Sequence, residues 1–165
     1  MFFRGSWILY KKEVKDYFNS PIVYILAALF ILISGWLFFN YLLASNEPTT
    51  QTLTSTVLIP TFGNINLIFL FFAPLITMRV FAEEKKLKTL ELLYLSKLSD
   101  VQIIFSKLMA CLTVALFLIA LTIIFPIILY LSGYKDLGII FTSYLGLILC
   151  VLCYISVGVF TSSLT

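Results

Sequence analysis

The sequence predicts an all-α membrane protein, a polytopic helix bundle with four transmembrane helices. Of its 165 residues, 61% are hydrophobic and 12% are charged, whereas soluble domains have about 25% charged residues. The charged residues leave four uncharged stretches, 17–46, 48–78, 108–134 and 137–165. Each exceeds the ~20 apolar residues that cross a bilayer core. We therefore predict a single membrane domain over residues 1–165.

The composition excludes most catalytic chemistry. The chain has no histidine, so it has no Ser-His-Asp or Cys-His nucleophile pair and no histidine metal ligand. Cys150 and Cys153 lie within a predicted span, where cysteine is an apolar filler with no cationic neighbour to activate it. No phosphate-binding loop of the G-x-x-x-x-G-K-[ST] pattern is present, and if ATP drives the protein, another chain must bind it. We predict no enzyme activity, no catalytic residues, no metal site and no cofactor.

The N-terminal segment, residues 3–18, predicts an amphipathic helix in the membrane interface. Apolar side chains recur at alternating steps of four and three along one helix face, while Lys11, Lys12, Lys15 and Asp16 point elsewhere. An equally good interpretation is a flanking helix that only anchors the chain. The apolar stripe consists of Phe3, Trp7, Tyr10, Val14 and Tyr17.

The first two spans follow from helix start and stop signals. Asn19-Ser20-Pro21 ends one helix and begins the next, because Ser caps a helix and Pro suits its first turn. The first span then covers residues 21–43, and a polar loop follows it. The second span covers 57–80, and Pro74 inside it removes a backbone amide donor and should kink the helix.

A second amphipathic segment separates the second and third spans. Between residues 81 and 100, Leu87, Leu90 and Tyr94 recur at helical spacing among charges of both signs. Such a helix either docks on a soluble partner and transmits its movement to the spans, or lies on the membrane surface. Ser99 and Gln102 can form a capping box, so we expect the third span to cover 100–131, with Pro126 as a second kink. The fourth span covers 137–162.

The basic residues predict the orientation. All of them except Lys135 lie in the N-terminal segment or in residues 79–107. The positive-inside rule makes that side cytoplasmic, and the N-terminus is then cytoplasmic as well.

The fourth span carries a pattern with a period of four residues in which six of seven positions are small, and such a pattern permits close helix approach. The pattern favours packing within one subunit over a subunit interface or a substrate path. It comprises Gly138, Thr142, Gly146, Cys150, Tyr154, Gly158 and Ser162, of which Gly138, Thr142, Gly146 and Gly158 are the candidate packing positions.

Three blocks of sequence resemble the permease subunits of type-2 ABC transporters, and within them the gliding-motility-associated permeases. The first block runs from Lys11 to Tyr24, with Ser34-Gly35 and Phe38-Phe39 after it. The second and most specific is Ala73-Pro74-Leu75-x-Thr77-Met78-Arg79-x-Phe81-Ala82-Glu83-Glu84-Lys85, continued by Thr89-Leu90-Glu91-Leu92-Leu93 and Ser99-Asp100. The third begins at Tyr144-Leu145-Gly146 and passes through Gly158 to Ser162-Ser163-Leu164-Thr165.

The resemblance implies roles for the two amphipathic segments. Residues 3–18 would be an elbow helix, and residues 83–95 would be a coupling helix that contacts an ABC ATPase subunit. The protein itself would lie in the bacterial cytoplasmic membrane. Family members have six spans, so we expect this chain to be C-terminally truncated by two. The ATPase contacts would come from Glu83, Glu84, Lys85, Lys86, Lys88, Thr89 and Glu91.

The leading hypothesis is a permease subunit of an ATP-driven exporter. Its partners would be an ABC ATPase, a second permease copy or paralogue, and membrane lipid, with no nucleic acid. Pro74 and Pro126 would act as hinges. The alternative is a non-transporting membrane scaffold or assembly subunit, or an inactive permease fragment, whose cytoplasmic helices only recruit a partner.

Overall fold

The structure is a computed structural model, which describes residues 2–45, 54–87, 100–131 and 137–164. Within these ranges it describes the side chains of 6–45, 56–78, 101–131 and 137–162. The described residues form helices and no strand. The helices are α1 (Phe2–Asn19), α2 (Pro21–Ala44), α3 (Ile59–Leu87), α4 (Asp100–Leu121), α5 (Ile124–Leu131) and α6 (Leu137–Leu164), and a five-residue π-helical segment, Thr54–Leu58, precedes α3.

Four helical regions are long and apolar enough to cross a membrane, which confirms the predicted all-α polytopic bundle. They are Pro21–Ala44, Thr56–Met78, Val101–Leu131 and Leu137–Ser162. The predicted spans were 21–43, 57–80, 100–131 and 137–162. The helix of the second span extends beyond the apolar stretch, because α3 continues without a break to Leu87.

A one-residue joint connects α1 to α2. Ser20 has an extended backbone (φ −85°, ψ 131°), and its hydroxyl accepts a hydrogen bond from the backbone N–H of Ile22 at 3.4 Å. Pro21 occupies the first helical position, where its missing N–H has no cost. The Asn19-Ser20-Pro21 signal thus ends α1 and begins α2.

The core lies where α2, α3, α4 and α6 meet. Helix α3 is central, since it packs against the other three. Phe30 of α2 is fully buried between Phe69 and Phe72 of α3, with ring centroids 5.0 and 5.6 Å away. At one end of these helices, the Asn64 side-chain amide donates to the Tyr41 hydroxyl at 2.6 Å.

The two candidate hinge prolines lie in different backbone settings. Pro74 lies inside α3, which stays continuous. Pro126 lies in α5, and the third span is interrupted at Thr122 and Ile123, between α4 and α5. A proline ring clashes with the carbonyl four residues earlier, which here belongs to Thr122. That carbonyl instead accepts from the Phe125 N–H at 3.1 Å, so the interruption precedes the proline by one turn.

Candidate functional site where α1 crosses α4

Helix α1 packs against α4 with a face that contains both polar and apolar residues. The buried side chains among its described residues are Ser6, Leu9, Glu13 and Tyr17, with Tyr10 half-buried beside them. Relative to the predicted apolar stripe, the packed face is rotated, because Trp7 is 66% exposed and Glu13 is buried. Exposed Trp7 is suited to contact lipid at headgroup depth.

An ion pair is buried at the crossing. Lys107 Nζ of α4 lies 3.4 Å from Glu13 Oε1 of α1. The Lys107 side chain is fully buried, and that of Glu13 is 12% exposed. Removing one partner from a buried ion pair is costly, so this pair stabilises the contact between α1 and α4.

Two tyrosines extend the contact on either side of the ion pair. The hydroxyls of Tyr10 and Thr113 are 2.9 Å apart. The Tyr17 hydroxyl donates to the Ile76 carbonyl of α3 at 3.3 Å and lies 3.5 Å from Cys111 Sγ of α4. Tyr17 therefore connects α1 to α3 as well as to α4. Phe18 adds an edge-to-face contact with Phe117, with ring centroids 5.3 Å apart.

The third span is longer than the hydrocarbon core of a bilayer. It covers Val101–Leu131, 31 residues, which is about 45 Å at about 1.5 Å per residue, whereas the core is ~30 Å thick. Lys107 lies six residues after Val101, in the part of the span that exceeds the core when Leu131 lies at the opposite boundary. The crossing is thus expected at the polar boundary of the membrane, where a lysine and a glutamate are tolerated.

The predicted ATPase contacts lie at the edge of the described part of the chain. Glu83, Glu84, Lys85 and Lys86 have their backbones in the last turns of α3, and their side chains are outside the described residues. The positions of Lys88, Thr89 and Glu91 are also outside the described residues, as is the rest of the predicted helix 83–95 beyond Leu87. The structure describes the chain again from Asp100, the first residue of α4.

The small residues of α6 have different surroundings. Gly158 packs directly on Thr77 of α3, and a Cβ atom added to Gly158 would lie 2.5 Å from Thr77 Oγ1. Gly138 and Gly146 have open space where a Cβ would lie, and Thr142 is exposed. The structure therefore brings Gly158 into a close helix contact within the chain, and it does not do so for the other three. The buried face of α6 is instead lined by Leu147, Val151, Ile155 and Val159.

A cavity of about 670 Å³ lies between α5 and α6. Pro126, Ile127 and Tyr144 are among its lining residues. The Tyr144 hydroxyl lies 3.2 Å from Thr122 Oγ1, so the wall of this cavity contacts the interruption between α4 and α5. A change of angle at that interruption would change the shape of the cavity.

Comparison with protein families shows to which family of membrane proteins the chain belongs. A family model described as ABC-2 family transporter protein matches residues 43–165. The chain belongs to the ABC-2 transporter family. Neither a curated protein nor a solved structure matches it significantly. As an ABC-2 permease, the chain is a multi-pass membrane component of an ABC transporter and is not itself the catalytic subunit.

The family match covers only part of the candidate site. In this ABC-2 permease, Lys107 and the whole of α3 to α6 lie inside the matched residues, whereas α1 and Glu13 lie before them. Membership confirms the resemblance to type-2 ABC permeases that the sequence suggested, and it implies association with an ABC ATPase.

Sequence reasoning missed the ion pair, because Lys107 was counted among the basic residues that flank the spans. Its position in the chain carried a signal. Lys107 lies seven residues inside the predicted 100–131 helix, and Glu13 lies between Tyr10 and Tyr17 of the predicted apolar stripe. Two opposite charges inside two helices that must pack are candidates for pairing with each other.

Proposed function

We propose that this ABC-2 permease couples ATP hydrolysis by a partner ATPase to export across the bacterial cytoplasmic membrane, with its N-terminus in the cytoplasm. The distribution of basic residues supports this orientation. The resemblance to gliding-motility-associated permeases supports a role at the cell surface in motility. The proposed partners are an ABC ATPase and a second permease copy or paralogue.

The buried Glu13–Lys107 pair is the observation that carries this proposal. Helix α4 begins at Asp100, five residues after the end of the proposed coupling segment 83–95, and Lys107 lies two turns into α4. Displacement of the segment by the ATPase would displace the start of α4. Because Lys107 is fully buried against Glu13, α1 would follow α4 instead of separating from it.

In this proposal, the cavity between α5 and α6 changes shape when the ATPase moves. The interruption at Thr122 and Ile123 divides the third span into two helices, and a helix break is a place where a two-state change of angle can occur. In this proposal, Pro126 and Pro74 are hinges, and α4 transmits the ATPase movement to the cavity. Gly138 and Gly146, beside which the described residues leave open space, and the exposed Thr142 would pack against the second permease copy.

Charge reversal tests the ATPase contact. The double variant Glu83→Lys/Glu84→Lys should lower co-purification of the ATPase at least several-fold, because acidic contacts to the partner become repulsive. Asp16→Lys is the matched control, since Asp16 is exposed on α1 and outside the coupling segment. Unchanged association of the double variant would contradict the assignment of residues 83–95 as the contact.

A second experiment distinguishes the exporter from the scaffold. In a chain whose native cysteines are replaced, Ile127→Cys places a thiol on the wall of the cavity between α5 and α6. ATP with vanadate should change its labelling rate in the complex with the ATPase. A labelling rate that does not respond to nucleotide, with the ATPase still bound, would support the scaffold.

A further inference from the structure

A groove of about 260 Å³ lies between α1 and α4, beside the buried ion pair. On the α1 side it is lined by Ser6, Trp7 and Tyr10, and on the α4 side mainly by Phe105, Met109 and Leu112. The proposed transport function uses none of these residues. The groove lies at the depth where α1 crosses α4, near the polar boundary of the membrane.

The hydroxyl groups along the groove are engaged within the protein. Tyr10 and Thr113 bond to each other at 2.9 Å, and Ser106 donates to the Gln102 carbonyl at 2.6 Å. With these groups satisfied, the groove presents mainly hydrocarbon and aromatic surface. Such a surface is complementary to an acyl chain and not to a polar headgroup.

The flank of α1 next to the groove is basic. Trp7, Lys11 and Lys15 are spaced four residues apart and so share one flank of the helix, and all three are exposed. Lys12 is rotated about 100° from Lys11, and Asp16 is one turn from it on that other flank. Lys11 and Lys15 do not line the groove; they lie one and two turns beyond Trp7 on this flank. A negative group that extends from the groove past Trp7 would therefore approach these two lysines.

We propose that the groove binds an anionic phospholipid, with an acyl chain along Trp7, Met109 and Leu112 and the phosphate group between Lys11 and Lys15. The combination of an apolar groove, an aromatic side chain at headgroup depth and two lysines at one flank fits this ligand. The proposal requires only that α4 spans the membrane, and it is independent of ATP coupling.

The two tryptophans of the chain provide a direct test. Trp36→Phe leaves Trp7 as the single fluorophore in the groove, and Trp7→Phe leaves Trp36, which is 67% exposed on α2. Each variant is reconstituted with brominated phosphatidylglycerol or brominated phosphatidylcholine, and quenching gives the relative affinity of the two lipids. We expect Trp7 to show at least a threefold preference for phosphatidylglycerol and Trp36 to show nearly equal affinities.

Lysine variants locate the headgroup. In the Trp36→Phe background, Lys11→Gln/Lys15→Gln should reduce the preference at Trp7 to that measured at Trp36. Lys12→Gln is the matched control and should leave the preference unchanged. Equal quenching of Trp7 by the two lipids would overturn the proposal, as would an effect of Lys12→Gln equal to that of the double variant. Elution as a single species in detergent shows that each variant is folded.

Discussion

Gly158 of α6 lies directly against Thr77 of α3, and there is no room for a side chain between them. A Cβ atom on Gly158 would be 2.5 Å from Thr77 Oγ1 and 3.0 Å from Cγ2. The Thr77 hydroxyl is itself bonded to the carbonyls of Ala73 and Pro74, at 3.0 and 3.2 Å. Thr77 is therefore fixed in place, and the contact cannot be relieved by rotation of its side chain without loss of these bonds.

Gly158→Ala should lower the free energy of unfolding by about 1–3 kcal/mol, the usual range for overpacking a helix contact. Thermal unfolding in detergent measures the change. Gly35→Ala on α2 is the control, and it should be neutral or slightly stabilising, because its Cβ enters open space and alanine favours helix. Adding Thr77→Ala should partly restore the stability of Gly158→Ala. If the two glycine variants changed the free energy of unfolding equally, the close contact between Gly158 and Thr77 would be contradicted.

Lys107→Met should lower the free energy of unfolding by about 3–5 kcal/mol, because it leaves the buried Glu13 carboxylate without its lysine. The double variant Glu13→Leu/Lys107→Met should recover much of that loss, since apolar residues can replace a buried pair. Chemical unfolding of the four proteins in a double-mutant cycle measures the coupling of the two residues.

Lys12→Met provides the control for loss of a lysine from the protein, because Lys12 is exposed on α1. The double variant also separates stability from coupling. It should be stable yet show a smaller nucleotide-dependent change in the labelling of Ile127→Cys. A strictly additive cycle would show that the two residues do not interact.

Pro126→Ala should allow the helix to continue through Thr122. The new amide at position 126 can donate to the Thr122 carbonyl, and the clash of the proline ring with that carbonyl is removed. Deuterium uptake over residues 122–127 should become slower. Pro74→Ala is the control, because α3 is already continuous at that position. Unchanged uptake at 122–127 would mean that the interruption has another cause.

The spans could be predicted from the sequence because a membrane helix needs only a long uncharged stretch, which is a local property. The joint at Ser20 could be predicted for a similar reason, since a cap and a first-turn proline act on their own neighbours. The sequence predicts a kink at Pro126, and the structure has an interruption at Thr122 and Ile123. A proline ring acts on the carbonyl four residues earlier, which here belongs to Thr122, so the interruption lies one turn before the residue that the sequence singles out.

The contacts between helices could not be predicted, because they depend on which faces meet. The periodicity of α6 showed where close approach is permitted. Of the four candidate positions, the described part of the chain brings a neighbouring helix into close contact only with Gly158, since Thr77 lies opposite it. The apolar stripe of α1 was judged from hydrophobicity alone. Tyr10, Val14 and Tyr17 of this stripe do pack inward. Trp7 is exposed and Glu13 is buried, because Lys107 lies opposite Glu13, and the sequence does not state that α1 lies on α4.

The one-residue joint at Ser20 has a mechanical consequence. Only Ser20 separates α1 from α2. The connection can therefore bend only through the backbone dihedral angles of this one residue, and it has no loop that could absorb a displacement of α1. A sideways force on α1 would therefore reach Pro21 as a torque on the first turn of α2. The same helix that is clamped to α4 at Glu13 is thus a short, stiff lever on the first span.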